Sequence, residues 1–577
     1  MKFMKALIDA AMGREKCDLV IRGANVFNVF TGEFEKGEIA VKDGRIVGIG
    51  DGYEGQETYD ADGAYALPSF IDAHIHVESS MLSPEEFALL SVSHGTGAIV
   101  ADPHEIVNVC GIAGAEYIKE AFSRISYSGV NPLDVFLQLP SCVPASPFET
   151  SGAALSGKET KREIGRGLFY GLGEFMNYPA VIGADGDALQ KIEAALSQNK
   201  VVDGHAPALS GCALDAYAAA GITTDHECVN AQDCKEKLKR GLYVQLRNGS
   251  SARNIEENAK AVNAFNYRRF VLCSDDRNAY DLRYRGEIDD ALRRLVKAGV
   301  PAEEAIACAT LNTAECYGLK RKGALAPSYD ADITLVKDVR DFNVSAVFKR
   351  GVLVAERGRA LFSCGRYQSD AVKGTVRIKR VSADDFKLDL SGKARVMRVV
   401  PNGILTKEEQ TEVRSRGGDV VLPEGVCKLA VVERHFASGN MGKCLLSGYG
   451  LKGGALGISV AHDSHNLVVV GDGNEAMARV TRLLEEAGGG MAIVNGEGES
   501  AFALDIAGLM SSAPHEEVIK KTEEITACAR KMGVKEGIEP FMSLVFLSLA
   551  VIPELRLTDR GLVDVNKFGF VSSRIEE

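Results

Sequence analysis

Tryptophan is absent from this chain, histidine is scarce at ten, and proline numbers only 16 against 60 glycines. Without tryptophan, any flat ligand must stack on Phe, Tyr or aliphatic side chains. The 13 cysteines include no CxxC pair and no even framework. That excludes a thiolate zinc cluster or disulfide scaffold and fits thiols kept reduced in a cytosol. No secretory pattern opens the chain, which adds to the expectation of a cytoplasmic protein. No apolar run approaches the ~20 residues that span a bilayer; the longest, Phe541 to Ile552, reads as buried core. Positive charge is short as well. The net charge is −12, and the richest basic run, Lys235 to Arg240, is interrupted by Glu236 and Leu238, which argues against a phosphate-backbone binder. What remains is ordinary: 577 residues, 46% hydrophobic and 25% charged, enough for a large core without staples.

The chain changes texture three times. Up to about residue 66 it alternates apolar and polar positions between glycine turns, with short strands at Asp18–Ile21, Glu38–Val41 and Arg45–Ile49 and a hairpin turn at Lys42-Asp43-Gly44-Arg45. The same texture returns over 323–378, so the two segments are expected to pair as one split β-sandwich. Between them, over 67–322, eight apolar runs alternate with amphipathic stretches such as Ala213–Ala220 and Gln232–Leu238. The runs are Ser69–His76, Ala98–Asp102, Asp134–Leu139, Gly171–Glu174, Val201–Ala206, Ile222–Glu227, Tyr243–Arg247 and Phe270–Asp275. Near-continuous apolar strands with helices between them predict a parallel sheet buried on both faces, and eight units in this length predict a (β/α)8 barrel. Barrel closure also brings the flanking β segments together. Residues 379–577 read as a third, mixed α/β region, its boundary placed only where the β texture ends.

Catalytic groups of such barrels stand at the carboxyl ends of the strands. Here those ends carry His74 and His76, Glu174, His205, His226 and Asp275. Residues i and i+2 of a strand face one side, so His74 and His76 can grip one ion together. Imidazole and carboxylate donors suit zinc, iron or manganese, and this set suffices for two ions. A single histidine at a strand end is more often structural; five strand ends bearing ligand types in a chain with ten histidines is not that pattern. A strand, Leu467–Val470, followed by Gly471-Asp472-Gly473-Asn474-Glu475-Ala476 imitates a dinucleotide loop, but such a site would want a full βαβ unit and an acidic residue about 20 positions on, and although Glu497 is nearby the match is short.

Pro68-Ser69-Phe70-Ile71-Asp72-Ala73-His74-Ile75-His76 resembles the opening metal motif of the amidohydrolase superfamily. The stretches His76-Val77-Glu78-Ser79-Ser80-Met81, Ala101-Asp102-Pro103-His104-Glu105-Ile106, Gly204-His205-Ala206-Pro207, Asp225-His226-Glu227, Ser274-Asp275-Asp276 and Ala461-His462-Asp463-Ser464-His465-Asn466 resemble the adenine deaminase family within it. The resemblance spans nearly the whole chain. It implies a metal-binding barrel embedded in a small β-sandwich and a C-terminal α/β domain. It also implies hydrolysis of adenine to hypoxanthine and ammonia, for purine salvage, by a hydroxide activated between two divalent ions. Manganese or iron is expected ahead of zinc, with His74, His76, Glu174, His205, His226 and Asp275 as ligands. Many relatives bridge their ions with a carboxylated lysine on strand four; Gly171-Leu172-Gly173-Glu174-Phe175 offers a glutamate instead.

On that reading Asp275 takes the proton of the attacking hydroxide and passes it to the departing amine. Asp276 beside it should face the opposite side of the strand. Glu105 is the candidate acid for the ring nitrogen N1, since a carboxyl in a pocket cut off from water can have its pKa raised. His104, Arg247 and Asp276 are candidate purine contacts; Arg247 could equally pair with a structural carboxylate. His462, Asp463 and His465 form a possible additional site, either adding metal ligands and closing the pocket or organising a turn of their own. The expected partner is adenine, with no nucleic acid and no membrane, and the assembly a homodimer. Action on another aminopurine or a cyclic amide is the alternative, and a scaffold without chemistry would have lost ligands.

Overall fold

The computed structural model describes residues 1–401 and 403–576. Eight short parallel strands run from the middle of the chain: Phe70–Ile75, Thr96–Ala101, Asp134–Leu139, Gly171–Phe175, Val202–Gly204, Thr224–Asp225, Tyr243–Arg247 and Phe270–Cys273. Strands one to five pair in order, as do six to eight. The ring closes through Ile75 beside Asp275, with the Asp275 N–H donating to the His74 carbonyl at 2.9 Å. Between five and six, Thr223 N–H donates to the Val202 carbonyl at 3.1 Å. The first two strands are buried at every position, which is why they read as apolar runs rather than alternations. Helices follow the strands, for example Gly211–Ala219, Ala231–Lys239 and Ile288–Lys297. One helix start carries its cap in sequence: Ser156 and Glu159 form a reciprocal capping box at Gly157–Gly165.

The two flanking β segments do meet. Strand Tyr65–Pro68 pairs antiparallel with Ile333–Val336, joining both segments into one nine-stranded sheet that curls around its own core of Ile21, Val41, Ile46, Ile333 and Phe348. The Lys42–Arg45 turn is a hairpin with Asp43 at φ 49° and Gly44 at φ 74°, the positive pair that matches strand twist. At the amino-terminal end of the barrel strands, Lys349 from this sheet reaches Asp134 at 2.7 Å, Asp332 at 3.0 Å and the Gly97 carbonyl at 2.7 Å. Lys322 joins the same two aspartates. Burial alone would push the Asp134 carboxyl up, yet Lys349 and Lys322 hold it well below the usual range. Removing one partner of a buried pair leaves an uncompensated charge. Lys349→Met should therefore cost about 3–5 kcal/mol in denaturant unfolding while leaving the opposite rim, where the histidine-bearing strand ends lie, unchanged.

The C-terminal region is built on a second nine-stranded sheet, most of whose pairs are antiparallel. The dinucleotide-like stretch does run from strand Leu467–Gly471 into helix Asn474–Glu486. Both neighbours of that strand are antiparallel, however, so the parallel crossover of a dinucleotide fold is not formed. Phe541–Ile552 contains the short helix Met542–Val545, with Leu544, Val545 and Leu547 in the core. Among the described residues no helix is long and apolar enough to cross a membrane.

Candidate active site

The carboxyl ends of the strands bring His74, His76, Glu174, His205, His226 and Asp275 into one cluster. His74 and His76 point their Nε2 atoms at each other, 3.1 Å apart. His76 gives its Nδ1 hydrogen to the Asp102 carbonyl at 2.8 Å, so its Nε2 presents a lone pair to the cluster. Glu174 stands in the middle. Its Oε1 lies 3.2 Å from His76 and 4.0 Å from His74; its Oε2 lies 2.7 Å from His205 and 3.2 Å from His226. Asp275 Oδ1 sits 3.2 Å from His76 Nε2 and 3.7 Å from His74 Nε2. Imidazole lone pairs turned toward one another around two carboxylates repel unless a cation sits among them. This donor set fits divalent metal, with one Glu174 oxygen available to each of two ions.

The electrostatics agree with a permanently ionised ligand pair. Burial would raise the Glu174 carboxyl, but His205 and His226 hold it well below the usual carboxylate range. Burial would likewise raise Asp275, and Arg247, His76 and His226 hold it well below. Burial pushes the His74 imidazole down, helped by His226 and His76, which keeps it neutral and able to ligate.

Asp275 departs from the pleat expected of it. The eighth strand ends at Cys273, and Asp275 takes a left-handed conformation at φ 57°. Asp tolerates that region better than most residues. Asp275 and Asp276 are thus separated by a turn rather than by strand alternation. Asp276 Oδ1 accepts from Ser79 Oγ at 2.5 Å, and Ser79 Oγ is also 2.6 Å from Glu105 Oε1. Arg247 donates to Asp275 Oδ2 at 2.8 Å and pairs with Glu227. The pairing is with two carboxylates of the cluster. His104 lies 3.5 Å from Glu174 through Nδ1, its ring edge-on to His76.

The His462-Asp463-Ser464-His465 stretch lies in the loop of the C-terminal hairpin between strands Gly454–Ile458 and Leu467–Gly471, and that hairpin covers the barrel mouth. His104 Nε2 is 3.6 Å from Asp463 Oδ1, and His465 Nε2 is 3.7 Å from Glu105 Oε2. The loop is held by Asn466 donating to the Thr150 carbonyl at 2.8 Å and by His435 donating to the Ser464 carbonyl at 2.7 Å. His465 Nδ1 accepts from the Ala461 N–H at 3.1 Å, so the neutral ring carries its hydrogen on Nε2. His465 therefore offers Glu105 a hydrogen, not a metal a lone pair. Four residues were not singled out from sequence: Glu78, Ser79, Asp102 and Glu227. Burial, with Glu105 close by, pushes Glu78 up to about 7. Asp102 accepts the Glu174 N–H at 2.9 Å. For Glu78 and Ser79 the only signal was their place inside the His76–Met81 motif.

A barrel whose strand ends gather four histidines, a glutamate and an aspartate has the donor set of a metal-dependent hydrolase, and residues 65–354 match the amidohydrolase family. Residues 403–569 match the adenine deaminase C-terminal domain. The chain is 44% identical to adenine deaminase 2 of Carboxydothermus hydrogenoformans, over 99% of each chain. It is 42% identical to the adenine deaminase of Clostridium acetobutylicum, over 98% of this chain and 99% of that one. The chain belongs to the adenine deaminase family of the amidohydrolases. Among solved structures, a β-aspartyl dipeptidase of Fervidobacterium islandicum is similar with a TM-score of 0.46 and 17% identity, covering 61% of this chain and 100% of that one.

Proposed function

We propose that the chain hydrolyses adenine to hypoxanthine and ammonia, with two divalent ions held by His74, His76, Glu174, His205, His226 and Asp275. The observation that carries this reading is Glu174, whose two oxygens are divided between the His76 side and the His205–His226 side. Manganese or iron suits these nitrogen and carboxylate donors, none of which is a thiolate. Bound there, the ions would polarise the carbon under attack and the water that attacks it. Division of the chain at residues 67, 323 and 379 belongs to the same reading, supported by the sheet that joins Tyr65–Pro68 to Ile333–Val336. Thirteen free cysteines support a reducing compartment.

The chain's own residues supply the proton steps. Arg247 fixes Asp275 through Oδ2, leaving Oδ1 toward the histidines. Asp275 takes a proton from the attacking water and delivers it to the departing amine. Glu105, held by Ser79, protonates N1, hypoxanthine keeps that hydrogen, and the water's second proton, released as the C6 hydroxyl becomes a carbonyl, restores Glu105. The C-terminal loop excludes bulk water from the cluster.

Metal-loaded protein offered a panel of purines should release ammonia from adenine; opening of a hydantoin or dihydroorotate with adenine untouched would overturn the reading. Glu105→Gln keeps the Ser79 contact in shape but has no proton to give. It should lower kcat on adenine by ~10²–10⁴, the usual worth of a positioned acid, with metal content unchanged. An unchanged kcat would remove Glu105 from the mechanism.

A further inference from the structure

Beside the binuclear cluster lies a second knot of buried donors, at the seam between the barrel and the C-terminal hairpin. His104 Nε2, Glu105 Oε2, Asp463 Oδ2 and His465 Nε2 are all buried and have no hydrogen-bond partner. His104 is 4% exposed and Asp463 2%. Unpaired buried polar atoms are costly to leave without a partner, so several in one place call for a missing one. His465 Nε2 faces Glu105 Oε2 at 3.7 Å, and the hydrogen it carries removes it from the possible metal donors.

The other Asp463 oxygen, Oδ1, and the histidines beside it keep distances that suit an ion rather than each other. Asp463 Oδ1 is 3.6 Å from His104 Nε2 and 3.6 Å from His462 Nδ1, too long for hydrogen bonds. Two donors sharing a tetrahedral ion at about 2.1 Å stand roughly 3.4 Å apart. All three donor atoms lie within 4.8 Å of one another.

We propose that His104, His462 and Asp463 hold a third divalent cation, separate from the pair in the barrel. The inference rests on the binuclear reading above only in that His104 Nδ1 faces Glu174. With Nε2 on the ion, the Nδ1 hydrogen turns toward the Glu174 carboxylate, the outer contact a ligating histidine ordinarily makes. The ion pins the C-terminal loop to the barrel and ties the cap to the metal bridge through one imidazole.

The test is ion stoichiometry after saturation with Mn²⁺ and removal of free metal. Wild-type protein should hold three ions per chain, His462→Gln with Asp463→Asn two, and His74→Asn with His76→Asn fewer than three while the seam ion stays. Anomalous scattering at the manganese edge from wild-type crystals should give a peak among His104, His462 and Asp463, which needs no variant to fold. Two ions in both wild type and seam variant, with no such peak, overturn the third site and leave the barrel pair standing. A raised KM for adenine in that same variant would then assign the seam to the purine. One ion in wild type, lost in the seam variant, overturns the binuclear reading instead.

Discussion

Glu174→Gln should lower kcat/KM on adenine by at least ~10³, about 4 kcal/mol of transition-state stabilisation, and reduce the barrel from two ions to one or none. Glutamine matches glutamate in volume, and the backbone of residue 174 is fixed independently. Its N–H donates to Asp102 at 2.9 Å and its carbonyl accepts from Ser141 Oγ at 2.5 Å. The fold should therefore survive. What changes is the charge and one of the two acceptors. Whichever way the amide turns, an NH2 group faces either the His76 side or the His205–His226 side, and a donor cannot ligate. Glu174→Asp keeps the charge but withdraws it by one methylene from four histidines on three other strand ends, so it should bind metal weakly and turn over slowly. Metal analysis beside steady-state kinetics separates the cases. Two tightly held ions and a full rate in Glu174→Gln would show that the bridge lies elsewhere.

The barrel was legible because its strands are buried on both faces and its ligands sit at strand ends. Phe70–Ile75 and Thr96–Ala101 carry that pattern in sequence, and the His74–His76 spacing needs only strand geometry. The closure that joins Tyr65–Pro68 to Ile333–Val336 followed from like textures on either side of a ring. Local geometry at Asp275 was not legible. The alternation argument assumed strand to its end, whereas the chain turns left-handed there to bridge strand one. Ser79, Glu105 and Asp276 meet across 26 and 197 positions of sequence, and a serine hydroxyl between two carboxylates leaves no periodic trace. Neither does the seat of the His462–His465 loop, because one sequence does not say over which face of the barrel a neighbouring sheet will fold.

The same left-handed turn decides how Asp275 should be tested. Alanine there would combine the loss of a carboxylate with a conformation alanine resists; asparagine adopts it almost as readily as aspartate. Asp275→Asn keeps the shape and the Arg247 contact through its amide oxygen, and Glu227 remains to balance the guanidinium. It removes the charge that faces His74 and His76 and the base that moves the proton. kcat should fall ~10³–10⁴, the upper part of what a proton-transfer group alone is worth, because ligation is weakened too. KM should move little. Acid stability supplies an independent reading in the ion-free protein. Arg247, His76 and His226 hold the wild-type Asp275 carboxyl well below its ordinary value, so its contribution is complete above the unfolded carboxylate pKa and is lost as pH falls toward the depressed one. Asp275→Asn lacks that carboxylate, so its unfolding midpoint should fall less steeply than wild type across the same acid range. Equal slopes together with full turnover would place both the proton and the ligand role on another residue.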